Sequence, residues 1–356
     1  MNKMPGNQSE EGRIRVKVRA TLPLTTRLFP HQLPGGVPTW GRCDFIFDPN
    51  CDTYDWLVVY DDLRPIGGKP AADQTEILAC HPLHTLLSTS EPPAVKCYGK
   101  AFTAQFGYVL TSQPEWALPH PRRIFSQTGL PWFYGTCPAM TRSYEQMTTE
   151  PPVHKTQDIS MVATRKQQWH TLHRRRFEFQ RELRERMPAI QVYGRGFRPV
   201  DDKAEALDPF RYHIAVENYV GLHHWTEKLA DAFLGLTLPF YVGCTNAADY
   251  FPQESFIPLD INQPEEAVRI IRQAVAGGEY EKRLPAIHEA RRRVMQEHNY
   301  FALLSRTIEA RHDSNRRPIA GQVIHSRHTL RRKRPWVAVS DTLGKISTTL
   351  QDMAHR

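Results

Sequence analysis

The sequence predicts an α/β protein of two lobes, each a sheet covered by helices, followed by a helical segment and a basic tail. Three observations carry this. From Ile159 onward, short apolar runs alternate with longer amphipathic ones, the pattern of a parallel sheet with crossover helices. Before residue 111, short β-branched and aromatic runs end in aspartates or in a Pro-Pro turn. Between these regions, residues 114–152 are rich in Pro, Trp, Tyr and Phe without a period, and read as irregular connecting chain.

Residues 1–12 are polar and are expected to be loose. Ile14 to Ala20 alternates apolar and basic residues as a half-buried strand does, and Cys43 to Phe47 and Trp56 to Tyr60 read as further strands. Leu83 to Leu87 leads into Ser90-Glu91-Pro92-Pro93, where the prolines fix an extended turn and set Glu91 just past a strand end. Phe106 to Leu110 is the next apolar run. A domain boundary is expected between residues 135 and 155, giving a first lobe over 13–150 and a second over 151–310. The second lobe reads as strand Ile159 to Ala163, a charged helix from Trp169 to Met187, strands Ile190 to Tyr193 and Tyr212 to Val216, helix Thr226 to Leu236, and strand Leu238 to Val242. Strand Phe256 to Leu259, helix Pro264 to Ala276 and a helical stretch from Tyr280 to Arg311 follow.

With 356 residues, 40% hydrophobic and 24% charged, the chain has the make-up of a globular protein of two or three domains and excludes a small disulfide-stapled scaffold. The uncharged stretch between Asp231 and Asp249 is broken by Gly235, Pro239 and Gly243, so it is not one membrane-spanning helix. The polar start has no apolar signal core, and a cytoplasmic location is expected. Six scattered cysteines without a C-x-x-C pair suggest reduced thiols. The net charge is +8, and residues 311–356 hold ten Lys and Arg against three Asp, so the body is nearly neutral and the tail basic. Such a tail is expected to be a solvated arm meeting an anionic surface. Arg331-Arg-Lys-Arg334 followed by Pro335-Trp336 suits the inner face of an anionic membrane.

Ligands in open α/β sheets sit at the carboxyl ends of strands and at the helix N-termini that follow. In the stretch from Tyr212 to Lys228 an apolar strand ends in Glu217-Asn218, and a helix begins with Thr226 as its N-cap. Glu227 suits the positive helix end, whereas Lys228 opposes the dipole and is more comfortable beside an anion such as a phosphate. Trp225, Leu229 and Phe233 recur at helical spacing as a buried face.

The run A-V-E-N-x(7)-T-E-K-L-x-D-A-F-L-G-L-T-L-P-F-Y-V-G, followed by N-A-A-D-Y-F-P-x-x-S-F-I-P-L-D, closely resembles the C-terminal donor-binding domain of the α-1,3-fucosyltransferase family. The resemblance covers residues 158–275 well and 40–135 weakly. It implies a GT-B-type fold, two Rossmann-like lobes facing a cleft, and inverting transfer of fucose from GDP-fucose to a hydroxyl of a glycan or glycolipid, with GDP as product and no essential metal. It further implies that Asn218, His224, Glu227 and Lys228 contact the donor, with Lys228 on phosphate and Glu227 on the ribose or near the developing sugar cation. Arg176, with Phe179 and Leu183 in an R-x-x-[apolar]-x-x-x-L helix before the Tyr193-Gly194 turn, matches the phosphate arginine, with Arg174 and Arg175 as competitors. Gly194 lets backbone approach a ligand. Glu91 resembles the general base of the acceptor lobe, so Glu91 and Glu227 are the catalytic candidates.

Two departures stand out. Val216 replaces an aromatic, and His224 replaces a tyrosine, so its charge is expected to vary with pH and a different deoxysugar becomes conceivable. Two other functions compete. Asp61-Asp62 at a strand end would suit a metal-dependent transferase using another nucleotide sugar, and the tail alone would suit a nucleic-acid binder. His81-Pro-Leu-His84 beside Cys80 and Cys97 lacks zinc spacing.

Overall fold

The computed structural model describes residues 12–21, 23–63, 74–163 and 172–354. The first lobe contains β1 (Ile14–Arg19), β2 (Thr39–Trp40), β3 (Cys43–Ile46), β4 (Trp56–Tyr60), β5 (Thr75–Ile77), β6 (Thr85–Ser88), β7 (Tyr108–Thr111) and β8 (Arg123–Phe125), with the short α1 (Lys100–Thr103). Seven of these strands form one sheet in the order β2-β3-β1-β4-β6-β7-β8, parallel throughout except for the β2–β3 pair. Trp56–Tyr60 is buried at every position, as expected for a central parallel strand covered on both faces. The β8 strand falls inside the stretch read as irregular, because Arg123–Phe125 is too short to show a period.

The connecting chain carries α2 (Tyr144–Thr149), begun by a Ser143–Gln146 capping box. Trp132, Tyr134 and Met147 are buried in the second lobe. That lobe holds β9 (Gln157–Val162), α3 (His173–Arg186), β10 (Gln191–Tyr193), β11 (Phe210–Gly221), α4 (Glu227–Leu234), β12 (Leu238–Cys244), β13 (Ile257–Pro258), α5 (Pro264–Ala276) and α6 (Glu279–Gln296). Its sheet runs β10-β9-β11-β12-β13 and every pairing is parallel. The two parallel sheets with covering helices bear out the two-lobe α/β expectation. The expected start of the charged helix, Trp169 to Thr171, lies outside the described residues.

The chain then returns to the first lobe. Asn299 caps a new helix, α7 (Tyr300–Glu309), by accepting from Phe301 N, and so divides the stretch read as one helical segment. Tyr300, Phe301, Leu304 and Ile308 pack with β1, β3 and β4 in the first lobe's core. Packing therefore does not divide at residue 310, because these four apolar side chains belong to the first sheet.

The basic segment is also folded, contrary to the expectation of a solvated arm. β14 (Val323–His325) pairs antiparallel with β5, α8 (Arg327–Lys333) starts at the Ser326 cap, and α9 (Pro335–Ala354) follows. Ile324, Leu330 and Val337 are buried in the same core as Leu57, Val59 and Phe102. The outer face of α9 leaves Trp336, Val339, Leu343, Ile346 and Leu350 exposed. Among the described residues no helix is long and apolar enough to cross a membrane.

Candidate active site

In the second sheet the chain passes from β9 through α3 to β10 on one side, then to β11 on the other side of β9. This reversal opens a crevice at the carboxyl ends of β9 and β11, where ligands of such sheets bind. Arg176 enters it from α3 and Asn218 from β11, and the guanidinium Nη1 donates to the Asn218 Oδ1. Leu172 at the start of α3 and Arg176, Phe179, Gln180 and Leu183 within it are buried, so Arg176 is the one of the three neighbouring arginines that points inward. Arg174 is exposed and pairs with Glu178, while Arg175 reaches the Asn262 side chain at 3.4 Å.

The start of α4 is built on a residue that the motif reading did not single out. Glu217 is fully buried; its Oε1 accepts from Thr226 N at 2.8 Å and its Oε2 from Thr226 Oγ1 at 2.6 Å. The Thr226 hydroxyl oxygen also accepts from Lys228 N, the cap expected from the sequence. Lys228 Nζ lies 3.3 Å from Glu217 Oε2 and 3.1 Å from Glu227 Oε1. Burial works against the Lys228 charge, but these two carboxylates more than offset it and raise the pKa of the ammonium. Burial also opposes ionisation of Glu227, yet Lys228 and Lys203 hold it at about 2. Lys203 in addition binds Asp231 at 2.7 Å. The Lys228 contacts lie within the motif, whereas Lys203 reaches Asp231 from 28 positions away and leaves no local sequence signal.

A cavity of about 510 Å³ adjoins this crevice at the carboxyl ends of β11, β12 and β13, with Tyr219, Tyr241, Gly243, Phe256 and Asp260 in its walls. Gly194 ends β10 with φ +110°, and a Cβ there would stand 2.3 Å from the Ala163 carbonyl oxygen. The close passage of β9 thus accounts for this glycine.

His224 departs from its expected behaviour. The ring is buried, its Nδ1 lies 3.1 Å from Ser112 Oγ, and burial depresses its pKa to about 4. It is therefore neutral at ordinary pH and does not switch. Ser112 follows β7 of the first lobe, so this contact bridges the lobes. Gln127 N donates to Tyr250 OH across the same junction, where Phe125 meets His223 edge-on at 4.6 Å.

Glu91 lies past the end of β6, at the matching carboxyl edge of the first sheet. Its carboxylate makes no hydrogen bond or ion pair among the described residues. Burial raises its pKa, as does the negative charge of Asp61, and the charges of Lys228 and Glu227 on the other lobe also reach it. The turn is held by Tyr98 OH, which accepts from Ser90 N at 2.9 Å and donates to Asp61 Oδ1 at 2.7 Å. Gln113 Nε2 donates to the Glu91 carbonyl at 2.7 Å and to that of Lys96 at 2.9 Å. Asp61 (φ +72°) also accepts from Ser90 Oγ and Lys96 Nζ, and Asp62 Oδ1 accepts from Arg327 N. A cation's place at Asp61 is thus taken by an ammonium, two hydroxyls and buried packing. Among the described residues no three His, Cys, Asp or Glu side chains gather as metal ligands would. His84 stacks on Trp56, and His81 caps a turn by accepting from Leu83 N.

Residues 153–275 match the family model described as glycosyltransferase family 10 (fucosyltransferase) C-terminal domain, which bears out the motif resemblance over that segment. Among curated proteins, alpha-(1,3)-fucosyltransferase FucT of Helicobacter pylori is 32% identical over 74 residues, 20% of this chain and 16% of that protein. The mouse 4-galactosyl-N-acetylglucosaminide 3-alpha-L-fucosyltransferase 9 is 31% identical over 90 residues, 24% of this chain and 25% of that one. The alignments thus span a quarter or less of these relatives' lengths. A crystal structure of an alpha1,3-fucosyltransferase with GDP-fucose aligns over 90% of this chain and 96% of that chain, with 15% identity and a TM-score of 0.47.

Proposed function

We propose that this protein is an inverting glycosyltransferase that moves fucose from GDP-fucose to a hydroxyl of a glycan or glycolipid acceptor, in α-1,3 or α-1,4 linkage. One observation carries the reading. Glu91, a carboxylate without partners among the described residues, stands at the carboxyl edge of one sheet within reach of the Lys228 charge on the other lobe, and Lys228 and Arg176 there form a cation cluster near a cavity of nucleotide size. Glu91 takes the proton of the attacking hydroxyl as that oxygen bonds to the anomeric carbon, and the bond from that carbon to the diphosphate breaks on the opposite face. Arg176 and Lys228 neutralise charge gathering on the departing diphosphate, Asn218 orients Arg176, and Glu227 receives the ribose hydroxyls or faces the sugar cation. His224 donates through its remaining ring nitrogen.

The metal-dependent alternative loses ground because the Asp61 oxygens are already engaged. The nucleic-acid alternative does so because Arg316 and Arg331 of the basic segment pair with Asp313 and Asp341. The exposed face of α9, with Arg332 to Arg334 exposed at its start, supports a peripheral place on an anionic membrane, where surface-polysaccharide synthesis would fit.

The test is thermal stabilisation by GDP, UDP and ADP, each with and without EDTA. A GDP-selective rise in Tm that survives EDTA is expected, and Lys228→Ala should weaken GDP binding by roughly 10-fold or more, the scale of one charge-assisted contact. A UDP response that needs metal would select the alternative transferase. No response to any nucleotide would overturn the enzyme reading.

A further inference from the structure

A separate cavity, of about 600 Å³, has Glu91 in its lining. Its far wall comes from the C-terminal segment: Arg327 and Arg331 of α8, and Asp341 and Lys345 of α9. The floor is the β6 turn, with Glu91 and Lys96. Four cations thus line a space that holds two carboxylates.

Those charges are unevenly satisfied. Lys96 binds Asp61, and Arg331 Nε donates to Asp341 at 2.8 Å. Among the described residues Arg327 has no carboxylate on its guanidinium: Nη2 donates to the Cys97 carbonyl at 2.7 Å, and Nε is buried without an acceptor. The Lys345 ammonium has neither a hydrogen bond nor an ion pair among the described residues. A buried guanidinium nitrogen left unpaired is costly unless an anion completes it.

We infer that this cavity is an acceptor subsite for an anionic sugar, in which Arg327 and Lys345 bind a carboxylate or phosphate carried by the acceptor while its hydroxyl is presented to Glu91. The inference rests on the reading of Glu91 as the acceptor-side base, and it adds the chemical class of the acceptor. It also gives the folded C-terminal segment a role in the reaction. Arginine presents a planar fork to such an anion, and the flexible lysine follows it as a point charge.

The experiment titrates the full-length protein, saturated with GDP to occupy the donor site, with glucuronic acid, glucose 6-phosphate and glucose, followed by NMR line broadening. At least one acid should bind 10-fold or more tightly than glucose, and which acid does so separates carboxylate from phosphate recognition. Arg327→Gln and Lys345→Glu should each erase that preference while keeping GDP affinity and Tm. Equal binding of all three sugars, or a preference unchanged in Lys345→Glu, overturns the inference, and the exposed Lys345 position keeps the test free of folding effects. Binding of phosphatidylserine vesicles, but of no sugar acid, that is lost in Lys345→Glu would assign these cations to a membrane instead and also overturn it. Glu91→Gln separates the two readings: if it retains transfer while acids still bind through Lys345, the base assignment fails and the subsite stands.

Discussion

Asp61 never meets the acceptor in this reading, yet it acts on Glu91 in two ways. Through Tyr98 and Ser90 it holds the turn, and through its charge it raises the Glu91 pKa, which suits a base that must receive a proton. Asp61→Asn keeps the left-handed backbone, which asparagine tolerates, and keeps an acceptor for Tyr98 while removing the charge. The acidic limb of the kcat/KM profile should then move to lower pH, because less negative charge opposes Glu91 ionisation. A limb that stays in place would show that Glu91 is not the titrating base. At this scale the gathering of Arg176, Asn218, Glu227 and Lys228 at one sheet edge was expected from the family resemblance, with Arg174 and Arg175 competing with Arg176 until burial told them apart. Glu217 lay within the motif, but its burial and its grip on Thr226 need the third dimension. Ser112, Lys203 and Gln113 left no trace, since a contact between residues far apart in sequence has no period.

Among the elements, the C-terminal hairpin of α8 and α9 differs most from its sequence reading. Charge density suggested solvation, but the apolar residues that decide burial are spaced widely between the cations. Ile324, Leu330 and Val337 reach the core, and β14 supplies the partner of β5. Full burial of such side chains contributes about 1.5–3 kcal/mol each. A chain ending at residue 322 should therefore lose roughly 5 kcal/mol or more and melt at a lower temperature by calorimetry. An unchanged Tm would mean that the hairpin adds nothing to the first lobe. At β10, Gly194→Ala should lower stability by about 1–3 kcal/mol, the scale of a strained backbone, as read by urea unfolding. The central strands and α5 were legible because long periodic runs outlast local ambiguity. The two- and three-residue strands β2, β5, β8 and β14 were not.

Over the whole molecule, four buried histidines and the half-buried His298 couple the fold to acid. Burial, the leading cause at each, depresses His31, His84, His224 and His298 to about 4 and His213 to about 3. Below the ordinary histidine value near 6.5 the unfolded chain takes up these protons and the folded one does not, so stability falls as pH drops from about 6.5 towards 4. Urea midpoints measured at pH 7.5, 6 and 5 should decline in that order. A midpoint constant over this range would mean that these rings protonate in place. The lobe count and the order of the second sheet were readable in the sequence, while the return of the chain to the first lobe was not, because α7 looks like a continuation of α6.

That return has a consequence for synthesis. The first sheet emerges from the ribosome early, but Tyr300, Phe301, Leu304 and Ile308, which close its core, emerge nearly 200 residues after β7. Throughout that interval the nascent first lobe carries an uncovered apolar face, while the second lobe, whose sheet and α3 to α6 are contiguous in sequence, can already close. The later domain is thus expected to fold first, and the earlier one to depend on chaperone shelter until the last helices arrive.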